Sequence, residues 1–145
     1  MRDIENIEFR GKCTSQWSEG EWAYGCFVHS NEEPNNYMIG YHDGSYDGNR
    51  MSIVDEKTIG QYIGLKDENG VNIFEGDVIS ISSVRGGTFL CVVQWFDSLF
   101  GFGAIHDTGG VTPLMEYVAR KIEVVGNIFD EEYMEKLKKE LENKK

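Results

Sequence analysis

The chain has 145 residues, 14 basic against 25 acidic side chains and a formal charge of −11. Its cations, Arg2, Arg10, Lys12, Arg50, Lys57, Lys66 and Arg85 among them, are scattered, which disfavours direct nucleic-acid binding, because phosphate neutralisation needs clustered Lys and Arg. Cys13, Cys26 and Cys91 are odd in number and share no metal-type spacing, acidic residues interrupt the amino terminus where a signal peptide needs an apolar run, and no stretch is long enough to cross a bilayer; a soluble cytoplasmic protein with reduced thiols is expected.

Seventeen Gly against two Pro, with short apolar runs between turn residues, predict a mainly β chain. Residues 7–12 alternate with the period of a half-buried strand. A turn at 18–20 leads to a second, aromatic strand at 22–28, and Trp17 and Trp22 flank that turn as a candidate cross-strand pair. Residues 31–36, with Pro34, read as a loop, 37–41 as a strand, 42–49 as a Gly- and Asp-rich loop and 51–54 as a strand. An irregular all-β subdomain is therefore predicted over 1–64.

The stretch 58–81 is the densest signature of the chain. Gly60 and Gly64 bracket Tyr62, Asp67, Asn69 and Gly70 supply a turn, and Gly76-Asp77 opens an alternating strand at 78–82. Asn-Gly between apolar runs is a strong signal for a short hairpin, because both residues tolerate positive φ. Gly76 permits a strained backbone, and the Asp77 carboxylate is placed to pin the turn by accepting backbone N–H bonds. A turn at 85–87, a long apolar strand at 88–96 and further strands at 102–106 and 120–125 follow. Five short antiparallel strands in this space predict a small closed barrel over 65–129, which removes sheet edges. From Asp130, a capping residue followed by Glu131 and Glu132, Tyr133, Leu137 and Leu141 recur every four residues, with Met134 alongside; an amphipathic helix is predicted over 130–145, covering a barrel opening or meeting a partner's helix.

The segments 9–12, 20–25, 58–77 and 123–129 occur in an order that resembles the YopX family of phage and prophage proteins. The resemblance implies an irregular β part followed by an SH3-like barrel, the glycines and aspartates of 60–77 acting as a structural motif. It implies no established activity, so it transfers no catalytic or cofactor-binding residue and no cofactor. Loops 31–36 and 43–49 fall outside it.

Chemistry-bearing residues give little coherence. Asp43, Ser45, Asp47 and Gly48 match half of a calcium loop, but the twelfth position is Val54 rather than a bidentate Glu, so an ordinary solvated loop is expected and no metal ligand is assigned. His29, His42 and His106 share no spacing, and Cys91 sits in an apolar strand as a small hydrophobe. The aromatics Trp95, Phe96, Phe100 and Phe102 surround a Gly-containing turn; alternation puts Trp95 and Phe96 on opposite faces, so at least one is expected to be exposed, and the four read first as core filling and second as the candidate binding groove. The expected function is a non-catalytic protein-binding or assembly module, with a protein partner or a second copy, no cofactor and no membrane. Two alternatives are an acidic regulator occupying a host protein's nucleic-acid site, motivated by the −10 carried by residues 1–129, and a metal-dependent hydrolase or nuclease using the 43–55 carboxylates.

Overall fold

A computed structural model describes residues 7–32, 36–42, 44–82, 86–106, 109–114 and 122–143. The chain divides into two compact units, Met1–Tyr62 and Ile63–Lys145. Both are built on antiparallel strands, and one helix lies at the carboxyl end.

In the first unit, β1 (Phe9–Lys12), β2 (Trp22–Ser30), β3 (Asn36–His42) and β4 (Asn49–Ile53) are ordered β4-β3-β2-β1, and the start of β5 (Gly60–Lys66) pairs with β1. Gly11 lies so close to Val54 that a Cβ there would sit 3.0 Å away, which draws β1 onto the core residues Val54 and Ile39. Thr58 fixes the other side: its hydroxyl accepts the Lys12 N–H at 2.8 Å and donates to the Asp55 carbonyl at 2.8 Å. The turn before β2 differs from the sequence expectation. β1 ends at Lys12, which stands opposite Trp22, so residues 13–21 form a wide connection. Trp17 is carried out on it, 87% exposed, and the Trp17–Trp22 pair does not form. The Trp22 ring instead lies under the Arg10 guanidinium, 4.5 Å from the ring centroid, and 5.5 Å from the Lys12 ammonium.

In the second unit, β5 continues beside β6 (Asn72–Phe74), and β7 (Asp77–Ser82), β8 (Thr88–Phe96), β9 (Gly101–His106), β10 (Val111–Pro113) and β11 (Ile122–Asn127) are ordered β10-β9-β8-β7-β11. The strands β7 to β10 form a meander, and the last strand returns to pair with the first. One face buries Ile79, Cys91, Val93 and Ala104 with Ile73 and Ile122; Cys91 behaves there as a small apolar side chain. The closed barrel expected from the sequence is not found: among the described residues no pairing joins β10 to β11. β10 is three residues long and contains Pro113, which has no N–H to donate, so it makes a poor closing strand.

The helix α1 (Glu131–Asn143) begins as its sequence dictates. The Asp130 carboxylate accepts the Tyr133 N–H at 3.2 Å, and Glu132 pairs with Lys136 one turn on at 2.7 Å. The Tyr133 ring occupies the space a side chain at residue 126 would need, 2.6 Å from where its Cβ would stand, so glycine is what lets α1 dock. Met134 and Leu137 face Val78, Leu90, Val92 and Ile105 around an apolar cavity of about 190 Å³. The predicted stripe thus docks on the unit's own sheet; the Leu141 side chain, like Lys144 and Lys145, lies outside the described residues.

Candidate binding surfaces

The residues singled out in 58–81 prove to be scaffold. Asp67 is 6% exposed, and its carboxylate gathers three backbone donors. The N–H groups of Asn69 and Val71 reach Oδ1 at 2.9 Å each, and that of Val124 reaches Oδ2 at 2.9 Å. One side chain therefore closes its own turn and ties it to β11, 57 residues away. The turn forms where the sequence puts it. Gly70 N–H bonds to the Asp67 carbonyl at 3.1 Å and Asp67 N–H to the Val71 carbonyl at 2.8 Å, with only Gly70 (φ 79°) left-handed. This is a type I turn with a glycine bulge, stabilised by the carboxylate. Asp77 pins the next turn as expected, its Oδ2 accepting the Phe74 N–H at 2.7 Å while the residue is 1% exposed. Gly76 (φ 87°) leaves room for the Phe129 ring, which would stand 2.6 Å from a Cβ at that position. Gly60 pairs with Arg10, Tyr62 is buried, and Gly64 (φ 85°) bends β5.

The four aromatics at the β8–β9 connection are divided by strand alternation. Trp95 and Phe102 are cross-strand partners, packed edge to face at 5.3 Å and 83° on the face that carries Val93 and Ala104. Trp95 remains 47% exposed, and its indole N–H donates to the Asp97 carboxylate at 2.9 Å. Phe100 is left-handed (φ 47°) and 89% exposed at the tip of the turn, beside exposed Leu99. Phe96 points to the opposite face, where it packs over Gly103. The sequence set is therefore divided: Trp95 and Phe102 form a surface patch with an acid at its edge, Phe100 projects from the adjoining turn, and Phe96 lies on the other face.

The remaining polar candidates do not converge. His106 bonds Thr112 Oγ1 at 2.8 Å through Nε2 and meets Phe89 edge-on at 5.7 Å. His29, in the first unit, stacks on Tyr37 at 4.4 Å, and the Glu56 carboxylate beside the Tyr37 hydroxyl, as hydrogen-bond acceptor and negative charge, raises the phenol above its ordinary value. Asp43 and the His42 side chain lie outside the described residues; among those described, no group of three or more His, Cys, Asp or Glu is disposed to hold a metal ion.

Sequence reasoning missed a concavity in the first unit. A groove of about 530 Å³ has β3 residues Ile39–Tyr41 as its floor, with Trp22–Tyr24 of β2 on one side and Asn49–Ser52 of β4 on the other. Gly25 and Gly40 permit it. A Cβ on either would fall about 2 Å from a neighbouring backbone carbonyl oxygen, 2.1 Å at Gly25 and 1.9 Å at Gly40, so only glycines let the three strands approach this closely.

The order of these elements along the chain is that of a known family: the family model for the YopX protein matches residues 8–134. The chain belongs to the YopX family. The matched span contains both sheets, the Asp67 and Asp77 turns, the aromatic patch and the groove, and ends within α1. No curated protein matches the sequence. No helix among the described residues of this YopX chain is long and apolar enough to cross a membrane.

Proposed function

We propose that this YopX chain, of phage or prophage origin, is a non-catalytic binding module of the bacterial cytoplasm that holds a protein partner through the aromatic patch of its second unit. The meander, with its last strand beside its first, supports reading the unit as an SH3-like fold left open at one edge, and such folds present aromatics from inter-strand turns to peptides. The carrying observation is the Trp95–Phe102 pair, set rigidly in register yet left half open to solvent. Large planar side chains held this way lose little entropy on contact, which is why they concentrate binding energy. Asp97 at the edge of the pair and the charge of −11 favour a partner segment that combines apolar residues with Lys or Arg.

The test is capture of partners from bacterial lysate on the tagged protein, with and without nuclease, compared with Phe100→Ser and Trp95→Ala. Phe100 is almost wholly exposed, so its replacement leaves the fold intact. A nuclease-resistant partner lost with both variants supports the reading; identical capture by wild type and variants removes the patch from it. Sedimentation across micromolar concentrations tests a second copy as that partner, and a monomer throughout excludes it.

A further inference from the structure

We infer that the cavity between α1 and the sheet of the second unit binds a small uncharged hydrocarbon of benzene size. It lies on the opposite face of that sheet from the Trp95–Phe102 pair, so the inference is independent of the patch above. The strand register sets its floor. Gly126, Val78, Val92 and Ile105 stand opposite one another in turn across β11, β7, β8 and β9, which makes one row on one face. Leu90, two residues before Val92 on β8, shares that face. Met134 and Leu137, three apart on α1, form the roof.

Tyr133 is what holds the cavity open. Its ring lies on Gly126 at the end of the row, where an added Cβ would stand 2.6 Å from it, so α1 can come no closer to the sheet. The other three residues of the row are β-branched, short and stiff at χ1, and do not reach up to fill the space. Met134 and Leu137 fill it only in part. A volume of about 190 Å³ remains, and Leu90, Val92, Ile105, Met134 and Leu137 stay half-buried although they face one another.

The chemistry of these walls selects the ligand. The six side chains are apolar, and the register turns those of Cys91 and His106, which also border the space, to the other face, where His106 bonds Thr112. A buried water needs about two to four polar partners, whereas these side chains supply hydrocarbon and one thioether. Cavities of about 150 Å³ lined in this way stay dry and take up benzene or xenon. A ring or chain of about six to eight carbons therefore fits by volume, and the Met134 sulfur suits the edge of a ring. A charged or hydrogen-bonding group on the ligand would be buried against apolar side chains at a cost.

The probe is benzene, titrated into the full chain beside phenol and followed by the methyl NMR shifts of the six lining residues and by thermal melting. Saturable shifts centred on those methyls and a rise in Tm are expected. Phenol should bind about tenfold more weakly, because its hydroxyl is buried among apolar side chains. Val92→Phe and Met134→Phe each put a ring into the space and should abolish the shifts. Circular dichroism and the Gly126 amide shift, which senses the Tyr133 ring, show that α1 is still docked in them. Trp95→Ala, on the other face of the sheet, should leave binding unchanged. Absence of methyl shifts at the solubility limit of benzene would overturn the inference. So would phenol binding as tightly as benzene, or undiminished benzene binding in a docked Val92→Phe or Met134→Phe chain.

Discussion

Replacing Asp67 by Asn should cost far more stability than its position in a surface turn implies. The carboxylate accepts N–H bonds from Asn69, Val71 and Val124, all at 2.9 Å, in a residue 6% exposed. Asn keeps one oxygen for the two local donors but presents an NH₂ group to the Val124 N–H, so two donors face each other and the charge assistance of the other bonds is lost. A hydrogen bond to a charged group contributes about 1.5–3 kcal/mol, and an unsatisfied buried donor costs about as much as the bond it has lost. The loss should therefore be ~3 kcal/mol for Asp67→Asn and about 4 kcal/mol or more for Asp67→Ala, which strips all three acceptors. At about 4 °C per kcal/mol for a chain of this size, Tm should fall by roughly 12 °C in the milder variant. The assay is urea unfolding followed by tryptophan fluorescence, with the m-value checked for constancy. Glu68→Gln, which removes an exposed neighbouring charge, is the control and should stay within about 0.5 kcal/mol. If Asp67→Asn costs no more than Glu68→Gln, the carboxylate does not tie the turn to β11.

Gly76→Ala should lose about 2–4 kcal/mol in the same assay, because it combines a left-handed backbone with a Cβ placed 2.6 Å from the Phe129 ring, whereas Gly70→Ala, with similar φ and open space, should lose only about 1 kcal/mol. Asp130→Ala removes the cap of α1 and should cost about 1 kcal/mol, read as faster hydrogen exchange at the Tyr133 amide. Tyr37→Phe should flatten the alkaline limb of the stability profile: the phenol is raised by its bond to Glu56, so its contribution is complete below the ordinary value of 10.0 and is lost as pH rises through the folded value.

Much of the second unit was legible because its signals are local. Gly76-Asp77 announced a pinned turn, the alternation of Val78–Ser82 gave the strand, and Asp130 with Glu131 and Glu132 marked the start of α1. Alternation also separated Trp95 from Phe96. What failed depended on distant partners. The Asp67–Gly70 turn was legible but its tether was not, because the sequence does not show the Asp67 carboxylate reaching Val124, 57 residues on. Trp17 and Trp22 flank one turn, yet the register fixed by Lys12 and the cations of β1 claimed Trp22 alone. β10 was missed because three residues, one of them a proline, carry almost no periodicity. The groove was invisible for a further reason: its lining comes from three strands, and the two glycines that bring them together read individually only as breaks in a strand.

The return of β11 to the side of β7 has a consequence for how the protein is made. While a ribosome is still short of Ile122, β7 offers its free side to any neighbouring chain, and the acceptor that Val124 will use is idle. The second unit is thus closed only once β11 has left the exit tunnel. Premature termination anywhere between β10 and β11 should release a sticky, degradable fragment rather than a smaller working protein.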